Sequence, residues 1–224
     1  NLSKTALSFA GTPRQQTLCL LTPVQRYARL GKRLTELPPT LAAMMADVEG
    51  VPSRAAAEAY LRAEGLTPDT VGGPLNSPVA RTQGGLPAAY FVIHDTSTPY
   101  FGDAPFPADI NTSERVNTFR NYEARKAAHI FINRGGEVRR YHDFSVPWRA
   151  TRLEVNEVGV QARGRFIHIE LIQPRRREPA GGASNDALAP LPGFTQAQYL
   201  RLAQAYVAAS VRAGRWMIPA YHAV

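Results

Sequence analysis

Two histidines and a glutamate stand out because each polar group closes or interrupts an apolar run. His94 ends the run AYFVIH, Glu170 lies inside FIHIEL, and His222 follows a short apolar run in IPAYHAV. Neutral imidazoles are good zinc ligands, and zinc with an open position lowers the pKa of a bound water towards ~7. A carboxylate beside that water can take its proton and later pass it to a departing amine. Each residue also has an ordinary alternative. His94 and His222 can be strand-end hydrogen-bonding groups, and Glu170 can pair with an arginine such as Arg165. Strand alternation puts His168 and Glu170 on one face, which makes that face polar and points to a cleft.

These residues need elements to hold them, and the chain divides in two. Residues 1–87 read as a helical and irregular accessory region with a linker; residues 88–224 read as the catalytic domain. In the first part, Thr22-Pro23-Val24-Gln25 has the form of a capping box and predicts a helix to about Glu36. Shorter helices are predicted over Thr40–Val48 and Ser53–Glu64, before the Gly/Pro-rich stretch 66–87. In the second part, AAYFVIH and RFIHIELI read as strands, and AHIFINRGGEVRRYHDF as a hairpin turning at Arg134-Gly135-Gly136. A helix is expected over Asn111–Arg120, capped by Asn111, Thr112 or Ser113. Another is opened by the box Thr195-Gln196-Ala197-Gln198, with Tyr199, Leu202, Tyr206 and Val207 on its apolar face. A long loop spans 173–194, and WMIPAYH reads as a last strand. Alternation of strands and helices gives an α/β fold with a mixed central sheet flanked by helices.

Composition narrows the function. The 224 residues carry 26 Lys+Arg against 18 Asp+Glu, a net +8 with a pI near 10.0. Such a surface favours polyanions, among them nucleic acid, acidic lipid and a carboxylate-rich cell wall. No basic stretch is interleaved with stacking aromatics, so no nucleic-acid partner is expected. Arg175-Arg176-Arg177 falls in the Pro/Gly/Ala-rich loop and reads as solvated. No apolar run is long enough for a membrane span, and no basic-then-apolar leader begins at Asn1, which says nothing of compartment. Cys19, the sole cysteine, sits in the apolar run TLCLL and is expected to be buried and inert. Any metal site must therefore use histidine and carboxylate.

The order strand-His, helix, Gly-Gly hairpin, Trp-containing loop, strand-Glu, capped helix, strand-His resembles the zinc-dependent N-acetylmuramoyl-L-alanine amidases of the peptidoglycan-recognition-protein-like family. The pieces that carry the resemblance are YFVIHDTS, AAHIFINRGGEVRRYHDF, PWRAT, FIHIELIQP, FTQAQYLRLAQAYV and IPAYHAV, spread over residues 88–224. The resemblance implies that His94 and His222 are zinc ligands and that Glu170 is the general base. Another branch of the family has a Tyr before the hairpin histidine; Ala128 stands there, so the chain resembles the glutamate branch. Trp148 matches an aromatic beside the substrate groove, and His129 a hairpin histidine that is not usually a ligand. Arg149 stands where the family often has a histidine and can supply positive charge to the substrate. His129 and His168 are each expected to line the groove or to be structural. The family's third ligand, an Asp or Cys, is expected after Val224; His168 or His142 completing the site, or a dead site, are the alternatives.

The implied activity is hydrolysis of the amide between N-acetylmuramic acid and L-alanine in peptidoglycan, in the periplasm or outside the cell. The rival from another class is a muropeptide-binding protein that does not cut, for which Glu170 is superfluous. A third is a basic polyanion binder, whose binding would fall steeply with salt and ignore zinc.

Overall fold

The computed structural model describes residues 2–26, 29–181 and 188–222. The chain opens with two short strand pairs around a helix. β1 (Leu2–Ser3) pairs with β2 (Ser8–Phe9), α1 spans Pro13–Leu20, and β3 (Val24–Arg26) pairs with β4 (Arg29–Leu30). The helix expected from Thr22 is therefore absent, and a strand pair stands in its place. The capping box that operates lies ten residues earlier, where the Thr12 hydroxyl accepts from Gln15 N and the Gln15 side chain accepts from Thr12 N. The Thr22 hydroxyl donates to the Cys19 carbonyl at 2.7 Å, so Thr22 closes the end of α1 and does not open a new helix. Cys19 is exposed on α1, not buried, because Gln16 and Thr17 take the inward positions.

Two helices follow largely as expected. α2 spans Pro39–Met45, and α3 spans Arg54–Ala63 with the Ser53 hydroxyl accepting from Ala56 N at its start. After an irregular stretch containing one 3-10 turn (Pro68–Val71) comes the main sheet. Its strands are β5 (Tyr90–Asp95), β6 (Ile130–Ile132), β7 (Val138–Arg140), β8 (Phe166–Leu171) and β9 (Ile218–Tyr221). They lie in the order β7-β6-β8-β5-β9, with β6, β8, β5 and β9 parallel and only β7 antiparallel. The mixed α/β architecture expected from the sequence is present. α4 covers only Glu114–Asn117, so the helix expected over Asn111–Arg120 shrinks to one turn. Asn111 is otherwise engaged, since its side-chain oxygen accepts from Arg134 Nε at 2.9 Å.

α5 (Gln196–Ala213) covers one face of the sheet. Phe91, Ile130, Ile132, Ile167, Ile169 and Leu171 pack there against Ala205, Ala209 and Met217. Fully burying each large side chain contributes about 1.5–3 kcal/mol relative to exposure. The predicted capping box Thr195–Gln198 is present, and its glutamine does more than cap. Buried Gln198 donates to the carbonyls of Ile132 and Ile172 at 3.3 and 3.0 Å, tying the helix start to the ends of β6 and β8. Tyr199, expected inward, is half exposed; the inward positions are held by Gln198 and small alanines. At the hairpin turn Gly136 has φ +82, and a Cβ there would lie 3.0 Å from the Ala197 methyl, so glycine lets the turn meet α5.

The opposite face carries Tyr90, Val92, Phe166, Ile218 and Ala220, covered by Leu7, Val158 and Ala162. The N-terminal segment thus packs directly on the sheet. The Tyr90 hydroxyl joins them, accepting from Phe9 N at 2.9 Å and donating to Gln16 Oε1 at 2.9 Å. Arg165 Nε reaches the Leu7 carbonyl at 2.8 Å. Among the described residues no helix is long and apolar enough to cross a membrane.

Candidate functional site

The second face turns polar at the carboxyl ends of β8, β5 and β9. Side chains alternate along a strand, so Tyr90, Val92 and His94 share this face with Phe166, His168 and Glu170. His94 and Glu170 are direct partners in the parallel register. β9 runs on the other side of β5, and His222 N donates to the Ile93 carbonyl at 3.0 Å just past its end. The three residues singled out in the sequence therefore meet, although 76 positions separate His94 from Glu170 and 52 separate Glu170 from His222. Crevices at the carboxyl ends of parallel strands are where open α/β sheets hold their ligands.

The ring centroids of His94 and His222 are 4.5 Å apart. His94 Nδ1 lies 3.9 Å from Glu170 Oε1, adjacent to it but too long for a hydrogen bond. Glu170 Oε2 is buried and has no hydrogen-bond partner among the described residues. Burial, and then the Asp95 carboxylate, push the Glu170 carboxyl up to about 8. Asp95 is itself held by Arg175 and by the Ser97 amide and hydroxyl, at 2.7 and 2.9 Å. Arg175 therefore does not simply face solvent as the loop reading expected; it pins the acid behind Glu170.

Behind His94 lies a buried polar chain. His94 Nε2 is 3.1 Å from His168 Nδ1, and His168 Nε2 is 3.1 Å from Glu154 Oε2. Burial pushes the Glu154 carboxyl up, but the hydrogen bond and field of His168, with Thr151 and Ala150, outweigh it and hold it below its ordinary value. Burial, then His168, His222 and His129, hold the His94 imidazole well below its usual range, so it is neutral near pH 7. His129 is tied to the backbone on both sides. Its Nδ1 accepts from His168 N at 3.0 Å and its Nε2 donates to the Val146 carbonyl at 3.2 Å. Burial and then His168 lower it to about 3.

Not every expected residue lies on the cleft. His129 and His168 are fully buried with their ring nitrogens engaged inside the protein, so neither lines a groove. His168 bonds to His94 and does not converge with it on a common point, and His142 stacks on Trp148 at 4.0 Å with its Nε2 on the Lys126 carbonyl. Trp148 is half-buried, donating to the Ala127 carbonyl at 3.1 Å, and Arg149 beside it is half-buried too. The position expected to hold a third ligand after Val224 lies outside the described residues.

Glu154 was not a sequence candidate. Its signal, Thr-x-x-Glu at 151–154, is that of a capping box, and it is one: the Thr151 hydroxyl accepts from Glu154 N while Glu154 Oε2 accepts from Thr151 N. Glu154 lies in a π-helical turn, Leu153–Val158, a rare geometry that recurs at functional sites.

The donor set bears on the zinc expectation. Two adjacent imidazoles, with a partnerless buried carboxyl oxygen beside them, suit a borderline dication. Among the described residues no three His, Cys, Asp or Glu side chains are grouped closely enough to hold a metal alone. Comparison with protein-family models, with curated proteins and with solved structures gave no match.

Proposed function

We propose that this chain is a zinc-dependent amidase that cuts peptidoglycan between the lactyl carbonyl of N-acetylmuramic acid and the amine of L-alanine. The observation that carries the reading is the meeting of His94, His222 and Glu170 at the ends of three parallel strands, with one Glu170 oxygen buried and unpartnered. His94 and His222 would hold the ion. Zinc there supplies Lewis-acid activation of the scissile carbonyl and of a water. Glu170 takes a proton from that water and hands it to the departing amine. A carboxyl raised to about 8 is mostly protonated at pH 7 in the metal-free protein, and a nearby dication favours its ionised, basic form. Trp148 and Arg149 contact the substrate, and the +8 charge suits a wall rich in stem-peptide carboxylates. The chemistry places the protein in the periplasm or outside the cell.

The reading is tested by incubating the protein with purified sacculi. Soluble peptide should be released, release should stop in chelator and return with added zinc, and Glu170→Ala should abolish it. Retention on intact wall with no release under any condition would replace the amidase by the muropeptide-binding alternative.

A further inference from the structure

We propose that a cavity between the segment following β5 and the β6–β7 hairpin binds a short basic peptide, holding its free amino group and its free carboxylate on opposite charges of the walls. The cavity has a volume of about 370 Å³, within the range of small-molecule sites. It goes beyond the amidase reading and uses none of the residues assigned there. The 3-10 turn Arg120–Tyr122 lies between the two places. Tyr122 stacks on Phe131 at 4.8 Å, and Phe131 is the register partner of Glu170, whereas Arg120 lines the cavity.

Each wall carries charges of both signs. On the hairpin wall Glu137 and Arg139 flank Val138, and the Asn133 amide, bonded to the Glu137 carbonyl at 3.0 Å, keeps Glu137 in the ladder. Side chains two apart along a strand share a face, and both of these line the cavity. On the other wall Arg120 and Glu123 stand three apart across the 3-10 turn, a spacing at which side chains eclipse. Glu114, in the single turn α4, adds a third carboxylate. Two guanidiniums against three carboxylates leave the cavity one negative charge in a protein of net +8.

These charges do not neutralise one another. Among the described residues none of the five forms an ion pair. Two of them are held by other contacts. The Arg139 guanidinium lies over the Phe119 ring, 5.7 Å from its centroid, and Glu137 Oε2 accepts from Asn133 Nδ2 at 2.6 Å. Phe119 is anchored in turn, its carbonyl accepting from the Tyr141 hydroxyl at 3.0 Å. A lone anion in the cavity would meet three carboxylates, and a lone cation two guanidiniums. A molecule bearing both signs makes charge-assisted bonds to both kinds of group. A dipeptide with free ends and one lysine side chain has two ammonium groups and one carboxylate, which also balances the cavity's net charge.

The test titrates the full chain, in chelator, with lysyl-alanine and follows the backbone amides by 1H–15N correlation spectra. The amides of Thr112, Thr118 and Glu137 should shift and saturate. Acetylating the peptide's α-amino group, or amidating its carboxyl end, should each weaken binding roughly 3- to 10-fold. The variant Arg120→Gln/Arg139→Gln should lose the preference for a free carboxylate and keep the preference for a free amine. The variant Glu123→Gln/Glu137→Gln should do the reverse. All four side chains are exposed, so neither variant removes part of the core. No saturable shift at millimolar peptide, shifts confined to residues away from the cavity, or equal affinity for free and blocked peptides overturns the proposal in the unaltered protein, with no variant needed. A double variant that keeps both preferences overturns it too.

Discussion

Replacing Glu170 by Gln should stabilise the metal-free protein, and increasingly so as the pH rises. Burial and then Asp95 move the carboxyl from 4.5 to about 8 in the folded chain. The folded state therefore holds this proton more tightly than the unfolded state does. Its contribution is fully present below pH 4.5 and is lost as the pH rises through about 8. Each pKa unit corresponds to roughly 1.36 kcal/mol, so the ceiling is roughly 5 kcal/mol. Relaxation around a side chain that is 14% exposed reduces this to about 2–4 kcal/mol. The neutral amide has nearly the shape of the protonated acid and does not titrate. The two proteins should differ by under ~1 kcal/mol at pH 5 and by about 2–4 kcal/mol at pH 8.5. For a chain of this size that is about 5–15 °C in melting temperature. Thermal and urea unfolding of both proteins in chelator, from pH 5 to 8.5, measures the difference and cancels whatever the histidines contribute to both. A gap that stays constant across that range, or a variant less stable at pH 8.5, would refute the buried-carboxyl argument.

Other outcomes follow from the same geometry. His129 is lowered from 6.5 to about 3, so its stabilising contribution is present above pH 6.5 and is lost as the pH falls towards about 3. His94 acts in the same direction and Glu170 in the opposite one, so the loss of about 2 kcal/mol from His129 by pH 5 is read in the Glu170→Gln protein, whose side chain does not titrate; a flat urea midpoint between pH 7 and 5 in that variant would contradict this. Tyr90→Phe strips partners from Phe9 N and Gln16 Oε1 and should cost about 1–3 kcal/mol, with faster amide exchange at Phe9; unchanged exchange would deny the hydroxyl its role in holding the N-terminal segment. Thr195→Ala removes the α5 cap and should cost about 1 kcal/mol in urea unfolding, with no effect on zinc affinity.

What was legible in the sequence was local. Alternation in FIHIEL correctly placed His168 and Glu170 on one face, and Thr195–Gln198 correctly opened α5. The same kind of signal failed at Thr22–Gln25, where Thr22 lies just past the end of α1 and the chain enters a strand at Val24, which no window around residue 22 reveals. On α5 the expected Leu202 and Tyr206 do pack on the core, while Tyr199 is half exposed and alanines and a glutamine take the most buried positions. The strands that would bear the site were readable, but their neighbours were not: β8 lies between β6 and β5, an order set by long crossovers and not by sequence proximity. The role of Glu154 was hidden for a further reason. A Thr-x-x-Glu motif is fully explained by capping, and only the fold brings the carboxylate onto His168.

The amidase reading meets its most direct test in the chemistry of the new chain ends. Sacculi digested by the protein in 18O-water and analysed by mass spectrometry should yield stem peptides beginning with a free L-alanine amine and carrying no label. The matching muramic acid should gain one 18O on its lactyl carboxyl, as cleavage of the carbonyl–nitrogen bond by water requires. New reducing sugar ends, cuts within the peptide, or wall recovered bound and uncut would each contradict it.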